Sequence, residues 1–586
     1  MIRFDYMIYG DASEEGPPLE KIFILECDHT QEKTIIKENE LRSELFGNDK
    51  QYELGGERSY DAYKIIMQAL AEDLDRIHNR RLGRLLWEPM LSMWLYMYVC
   101  CAYITYNEVM HLMRLNDSVY TYVPKVRYIN NVYETVGQDS FMFDQIRADI
   151  ICAILDVDND EEFRLRYNAS FNANEKCYSN SKYRLFAKIA SWMSFRQMDT
   201  GLFNPYIEGI GDGIWRVLSL GKVRNLIIDE RLDCVSDKID VKKRELIKRK
   251  FDDDFINIAY RCIGKNLPSV AMEGFEYVLR YYNKQHITIP KLLISSVNIL
   301  TPIGAMLYSD VKKNGGKVYL IQHGGSYRYE KFAGYMDMPL SDRFYTAGNG
   351  GENTALWNAW KMKAMPFGKT LGYYSRYNSR SIFRRILFTC DTNPRYFARF
   401  FIRSVFQSDE YYTTEDSFIR KLSDETLKNV RIRFGPLPED NHDGINRIEE
   451  IRKVREGVKF DDIMNFHESL ARSDMLVACY LTTPVLEAIN LGIPTLVIIQ
   501  NRSICVEEGA EKVIEKLIEE KIIFTDACEA ADYLNIIRNN TWEWWNEPKR
   551  KNAWQEFRRM YCSRSIFGRG KWVREILNET KAIRKK

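Results

Sequence analysis

The stretch KVYLIQHGG, Lys317 to Gly325, decides the fold of this chain. An apolar run that stops at Gln322, His323, Gly324 and Gly325 reads as a strand. It delivers an imidazole to its end, beside backbone with no side chains to block a ligand. Open α/β sheets bind their ligands at that rim. Just upstream, Leu292 to Ser296 reads as a strand, Pro302 to Asn314 as a helix, and Gly315 and Gly316 as its terminator. The two strands are therefore joined by a helical crossover and run parallel. Ser341 to Thr346 reads as the next short strand.

Working outward, PFGKTLGYYSRYNSRS between Pro366 and Ser381 has glycines, hydroxyls and basic residues without periodicity, as an interdomain linker should. A second alternation follows it. Strands are expected at Arg385 to Thr389, Val430 to Phe434, Met475 to Tyr480, Thr495 to Ile499 and Ile522 to Phe524. Helices are expected between them, among them Pro394 to Val405, Asp461 to Arg472 and Thr483 to Asn490. Such repetition implies a mostly parallel sheet covered on both faces.

Before the histidine strand, Lys21 to Cys27 reads as a strand and Ser59 to Asn79 as a helix. Residues Pro89 to Tyr106 carry no charge over 18 positions, close to the length of a membrane span. Their Tyr and Met content and the amphipathic continuation through Glu108 and His111 favour a buried central helix. Gly209 to Trp215 reads as a glycine-rich loop, and Asn168 to Asn180 as a polar excursion. At the far end, Trp542 to Met560 is helical and aromatic, and the tail from Arg564 is basic on balance. It reads as a solvated terminus or as a contact for anionic lipid.

With 586 residues and 45 % hydrophobic content, the chain exceeds the roughly 250–300 residues at which single cores stop growing. We expect a first domain over 1–375, a second over 376–545 and a terminal segment over 546–586. A formal charge of +2 gives no global field for nucleic acid. The 12 cysteines form no CxxC or Cys/His ligand spacing, which fits buried thiols in a reducing cytoplasm. Neither a dinucleotide G-x-G-x-x-G after the first strand nor a P-loop is present. The DVDND run at Asp156 to Asp160 lacks the glycine and glutamate of a calcium loop. No metal and no cofactor are assigned.

Two sets of residues carry the chemistry. His323 is the candidate base, since imidazole titrates near neutrality, with Asp342 or Glu330 to orient its ring. The second set begins at Thr482-Thr483-Pro484, where a strand hands over to a helix whose hydroxyls cap the first turn and whose free N–H groups attract phosphate. Glu487, one turn in, suits a ribose or sugar hydroxyl. Arg433, at a strand end, is placed to clamp a diphosphate or carboxylate through its planar fork. Asn465 and His467 approach the nucleotide base from the preceding helix.

At these residues the chain resembles bacterial surface-polysaccharide and O-antigen transferases, which carry a GQHGG-like motif, an acidic-aromatic strand and an E-A-x-x-x-G-x-P segment. Here these are Gln322 to Gly325, Ser341 to Phe344 and Glu487 to Pro494. Ile321 replaces the first glycine, and Thr346 to Asn349 replaces a longer Trp/Gly motif. The resemblance extends to the Lys21 strand, Leu86 to Leu91 and Trp542 to Cys562. It implies an α/β, GT-B-like fold: two Rossmann-like domains facing each other across a cleft, helical insertions in the first and a C-terminal crossover helix. It also implies a glycosyltransferase with a nucleotide-sugar donor and a glycan or lipid-linked glycan acceptor, working in the cytoplasm or at the inner face of the cytoplasmic membrane.

Carried over residue by residue, His323 becomes the catalytic or phosphate-facing histidine. Gly324 and Gly325 become its donor-side loop, Arg433 the phosphate ligand, Thr482 and Thr483 the helix-end pair, and Glu487 the ribose ligand. Related capsule enzymes make a CMP-activated acidic sugar, such as Kdo or a nonulosonic acid, the first expected donor. UDP and GDP sugars follow. Alternatives are a polyol-phosphate or phosphosugar transferase and a noncatalytic polysaccharide-assembly protein.

Overall fold

Short, mostly apolar runs, buried at every position, form the strands Thr200–Phe203, Leu292–Ser295, Ile386–Thr389, Met475–Ala478 and Thr495–Ile498. Burial on both faces is the mark of parallel sheets under helices. The computed structural model describes the chain except for residues 1–18, 22–43, 115–121, 125, 131–139, 157–161, 167–197, 206, 208–211, 231, 233–237, 351–354, 367–384, 391–399, 401–407, 435–446, 500–505, 564, 566 and 586. Its first large sheet runs, edge to edge, Lys363–Ala364, Arg343–Thr346, Lys317–Ile321, Leu292–Ser295, Thr200–Phe203, Val223–Asn225, and every pairing is parallel. The second runs Val430–Arg433, Ile386–Thr389, Met475–Ala478, Thr495–Ile498, Ile523–Phe524, again all parallel.

Each sheet reverses its strand order once, between Thr200–Phe203 and Leu292–Ser295 and between Ile386–Thr389 and Met475–Ala478. The crevice outside the strand ends at such a point is where doubly wound sheets hold ligands. Two Rossmann-like lobes result, and the architecture is GT-B-like, as expected.

The first lobe carries the helical insertion. Its uncharged run lies in the helix Arg84–Arg114, which packs against Asp49–Ile77, Ser140–Leu155 and Pro302–Lys313. Trp87, Trp94, Tyr96 and Tyr98 are fully buried there. The stretch is long and apolar enough to cross a membrane, but 83 % of its window is covered by protein, so it forms the core of this lobe. Pro89 sits near its start and does not break it.

Three readings change. The helix expected from Ser59 begins at Asp49, where the Asn48 side chain accepts from the Gln51 N–H. It runs through Gly55 and Gly56, because those glycines are packing devices. A Cβ on Gly56 would come within 2.3 Å of the Phe332 ring, and one on Gly55 within 2.7 Å of Phe400. The end of the expected loop is helical, Asp212–Leu218, with 208–211 outside the described residues. Lys21 belongs to the strand Leu19–Lys21, paired antiparallel with Tyr122–Pro124 and not to the large sheet; the rest of that run lies outside the described residues. So do the Pro366–Ser381 linker, apart from its first residue, the Asn168–Asn180 excursion and most of the Pro394–Val405 helix.

The end of the chain ties the lobes together. Helix Pro548–Tyr561 buries Trp554 and Phe557 in the second lobe, and Gly568–Arg584 then crosses to the first sheet. Trp572 and Ile576 pack with Leu202, Tyr319 and Tyr345, and Trp572 Nε1 donates to the Pro366 carbonyl at 3.1 Å. Glu575 accepts from Lys363 Nζ at 2.6 Å and from Tyr345 Oη at 3.1 Å, while Glu579 takes Tyr319 Oη at 3.2 Å and Arg343. Both acids are thus spent inward, which leaves Lys571, Arg574, Lys581 and Lys585 on the exposed side. Among the described residues every cysteine but Cys528 is buried.

Trp572→Ala empties the main anchor of the crossover helix. The expected loss is about 3–5 kcal/mol, read by urea unfolding, with earlier proteolytic release of the terminal helix. Unchanged stability and protection would show that the helix is held elsewhere.

Candidate functional site

The strand Lys317–Ile321 ends at Gln322, whose backbone N–H still donates to the Tyr345 carbonyl at 2.9 Å. Its side chain then folds the following loop. Oε1 accepts from Thr346 Oγ1 at 3.2 Å and from the Ala347 N–H at 3.0 Å, and Nε2 donates to the Gly324 carbonyl at 2.7 Å. With Gln322 buried and fully engaged, His323 stands at the rim with its side chain 36 % exposed.

Gly324 and Gly325 then meet the second lobe directly. The Gly325 N–H donates to Thr483 Oγ1 at 2.9 Å. A Cβ on Gly325 would lie 2.6 Å from the Thr482 carbonyl carbon and the Thr483 nitrogen, so only glycine permits this approach. Thr483 opens the helix Thr483–Leu491, with Pro484 in its first turn and left-handed Gly492 closing it. The Thr482 side chain makes no capping bond. That helix start lies at the strand-order reversal of the second sheet, the rim that also carries the start of the preceding helix.

That preceding helix is Phe466–Ala471, shorter than expected. Asn465 caps it, its Oδ1 accepting from the Glu468 N–H at 3.1 Å. Residues 461–464 are irregular because buried Asp461 gathers them: it accepts from Ser469 Oγ at 2.6 Å, from Arg433 at 2.7 Å and from Arg385. Asp461 is buried, but these donors hold its carboxyl below the usual range. Arg433 also donates to the Ile463 and Met464 carbonyls at 2.6 and 2.9 Å. It is a clamp on this connection and not a free fork waiting for phosphate. From the second position of that helix, His467 Nε2 lies 3.0 Å from the Glu487 carboxylate, which is almost wholly buried. Two residues expected to contact a donor separately therefore act as a pair.

Asp342 departs furthest from expectation. Its carboxylate accepts from the Val318 N–H at 2.8 Å and from Lys312 Nζ at 3.0 Å. Those contacts fix it at the start of the histidine strand. A strand advances ~3.3 Å per residue, which puts His323 roughly 16 Å further on. Parallel strands begin on one rim and end on the other, so Asp342 cannot orient the ring. Glu330 turns instead into a backbone bridge with Val506. The residues at the imidazole are Tyr327, with Oη 2.8 Å from His323 Nδ1, and buried Asp337, which accepts from Tyr327 Oη at 2.5 Å. Neither was anticipated. The only signal was four-residue spacing from His323 to Tyr327 in a loop where periodicity gives no guidance.

Residues 326–330 plug this loop into the second lobe. Ser326 and Arg328 are left-handed, with φ of 70° and 74°, an uncommon state for side-chain-bearing residues. It is held by Tyr329, buried against Phe557 and Tyr561, whose Oη donates to the Leu481 carbonyl at 2.8 Å. Buried Arg328 stacks over Trp357 and donates to the Gly350 carbonyl. Among the described residues no three His, Cys, Asp or Glu side chains converge as a metal site. Asp156 pairs with Arg261, and the rest of its run lies outside the described residues.

A model of the LIC12162 family transferases matches residues 20–576, and the chain belongs to that family. No curated protein matches it. Among solved structures it is similar to the S. aureus MnaA–UDP co-structure, at 11 % identity and TM-score 0.36 over 66 % of this chain and 97 % of that one. It is also similar to the Neisseria meningitidis UDP-GlcNAc 2-epimerase bound to UDP-GlcNAc, at 10 %, TM-score 0.36 and 65 % and 100 % coverage. A third is the α,α-trehalose 6-phosphate synthase of Burkholderia multivorans, at 9 %, TM-score 0.36 and 67 % and 98 % coverage. Likeness of this size bears on neither substrate nor mechanism.

Gly325→Ala should cost about 1–3 kcal/mol by overpacking backbone on backbone. Thr483→Val should cost a similar amount, about 1–3 kcal/mol, by leaving the buried Gly325 N–H unpaired. Both break one contact, so the double variant should lose less than the sum in urea unfolding. Additive losses would show two independent sites. Asp337 supplies a pH test. Burial pushes its carboxyl up from 3.8 to about 6, so the folded chain binds that proton more tightly than the unfolded one. The resulting stability is complete below about pH 4 and lost as pH rises through 6. Relative to Asp337→Asn, the wild type should lose up to about 3 kcal/mol between pH 4 and 7. A difference that stays flat across denaturant titrations at those pH values would contradict the shift.

Proposed function

We propose that this chain, a member of the LIC12162 transferase family, moves a sugar from a nucleotide-activated donor to a hydroxyl of a surface glycan, free or lipid-linked. One observation carries the reading. The His-Gly-Gly loop of the first lobe is seated on the hydroxyl-led helix start of the second, so the half-exposed His323 lies beside an anion-attracting helix end.

In this scheme the donor phosphate lies at the start of Thr483–Leu491, near Thr482, whose hydroxyl caps no backbone group. The His467–Glu487 pair faces the nucleotide, Glu487 taking ribose hydroxyls and His467 holding the carboxylate in place. As the acceptor oxygen attacks the anomeric carbon, its proton passes to His323. The bond to the leaving phosphate breaks, and that phosphate keeps the electron pair, held at the positive end of the helix dipole. Asn465 and Arg433 act through the connection they shape. The preferred donor is a CMP-activated acidic sugar such as Kdo or a nonulosonic acid. A lipid-linked acceptor would bring the enzyme to the inner face of the cytoplasmic membrane.

Thermal unfolding with CMP, CDP, UDP and GDP, each with and without magnesium, tests this. A ligand of the folded state stabilises by about 2.7 kcal/mol at one hundred times its Kd, so a selective upward shift with CMP is expected, lost in Glu487→Gln. A flat response to all four nucleotides would sink the nucleotide-sugar reading. A magnesium-dependent shift would reassign the phosphate to a metal.

A further inference from the structure

Tyr327 and Asp337 form a line behind His323 that has a defined proton order. Tyr327 Oη donates to Asp337 Oδ2 at 2.5 Å, and Asp337 Oδ1 already accepts the Met338 N–H at 2.9 Å. A phenol has one proton. Once it is given to Asp337, the 2.8 Å contact between Tyr327 Oη and His323 Nδ1 can be filled only by an N–H of the imidazole. We propose that Tyr327 and Asp337 are positioning residues for His323: they hold the proton on Nδ1 and so keep Nε2 unprotonated, the form that receives the acceptor's proton. This rests on the reading of His323 as the base of the transfer.

The surroundings make the order durable. Tyr327 stacks on Phe344 at 5.5 Å between centroids and is buried, and Asp337 is buried with its Oδ1 at the start of the short turn Met338–Leu340. The His323 ring meets Tyr327 edge-on, with centroids 5.3 Å apart, so its orientation is set by the same contact. Gly334, left-handed at φ 90°, lets the loop return close over Tyr327; a Cβ there would lie 2.9 Å from the phenol ring. The carboxylate lies 4.0 Å from Nδ1, too far for a direct bond, so the phenol is a required link. Burial raises the Asp337 carboxyl to about 6, and above that pH the ionised acid is the better acceptor for the phenol. The arrangement has the logic of an acid fixing the tautomer of a catalytic histidine, with a tyrosine inserted between them.

The test uses the full chain with ¹⁵N-labelled histidine at pH 8, the His323 signal being assigned from its loss in His323→Gln. Wild type should show the Nδ1–H tautomer, and Tyr327→Phe should move His323 toward the Nε2–H form that free imidazole favours in water, with Phe retaining the packing. Asp337→Asn provides the second variant, with a smaller move in the same direction because an amide oxygen accepts less strongly. An Nε2–H tautomer in wild type, or no change in Tyr327→Phe, would overturn the proposal. This spectrum needs no substrate, so its outcome is separate from that of the nucleotide titrations. Once transfer is assayed, Tyr327→Phe should lower kcat about 10–100-fold, at or below the usual share of a general base, with KM for the donor unchanged. A KM effect alone would assign Tyr327 to binding.

Discussion

A single N–H···O contact, from Gly325 of the first lobe to Thr483 of the second, fixes what can happen in the cleft. It brings two strand-end rims, each built to hold a ligand, to van der Waals distance at one point. The hydroxyl that caps the helix in the expected scheme is used here to dock the opposite lobe. Pro484 has no N–H and those of Val485 and Leu486 go to the Thr482 carbonyl, so Thr482 and the positive end of the helix are what that helix start has left for an anion.

Such a contact would be weak alone, at about 1 kcal/mol for an ordinary hydrogen bond. It is supported on either side by apolar burial. Tyr329 crosses into the second core, and helix Gly568–Arg584 crosses back to the first. The lobes therefore exchange one aromatic plug for one amphipathic helix. Left-handed Ser326 and Arg328 are a consequence: the chain must turn sharply after Gly325 to present Tyr329 outward and Tyr327 inward. One short loop thus serves the lobe interface with one side chain and the imidazole with its near neighbour.

The parallel α/β alternation, the strand ends and the histidine loop were legible in the sequence because each depends on local signals: apolar runs, terminating glycines, and hydroxyls before a helix. The buried central helix was legible as well, from its aromatic content. Asp342 was misread because an acid near a motif in sequence may lie at the other end of a strand in space, and spacing does not tell the two rims apart. The helix start at Asp49 was hidden because Gly55 and Gly56 disfavour a helix locally, and their partners, Phe400 and Phe332, are far away in the chain. Asp337 and the pairing of His467 with Glu487 depend on tertiary contacts of the same kind, to which periodicity is blind.

Arg433 shows why a strand-end arginine is an ambiguous sign. Its place at the rim of the second sheet is what a phosphate ligand needs, but the same place lets it reach the connection that runs beside its own edge strand. That connection pairs along the edge strand through Ile432 and Phe460, and in it Arg433 finds a buried carboxylate, Asp461, and two carbonyls that no helix satisfies. Removing the guanidinium would leave Asp461 with fewer donors in a buried position, and such a loss costs more than the bond itself contributes. The segment it braces carries Asn465 and, two residues on, His467, the partner of Glu487. A fall in donor affinity on replacing Arg433 would therefore follow from displacement of the His467–Glu487 pair, and would arrive together with a loss of stability that a true phosphate ligand would not produce.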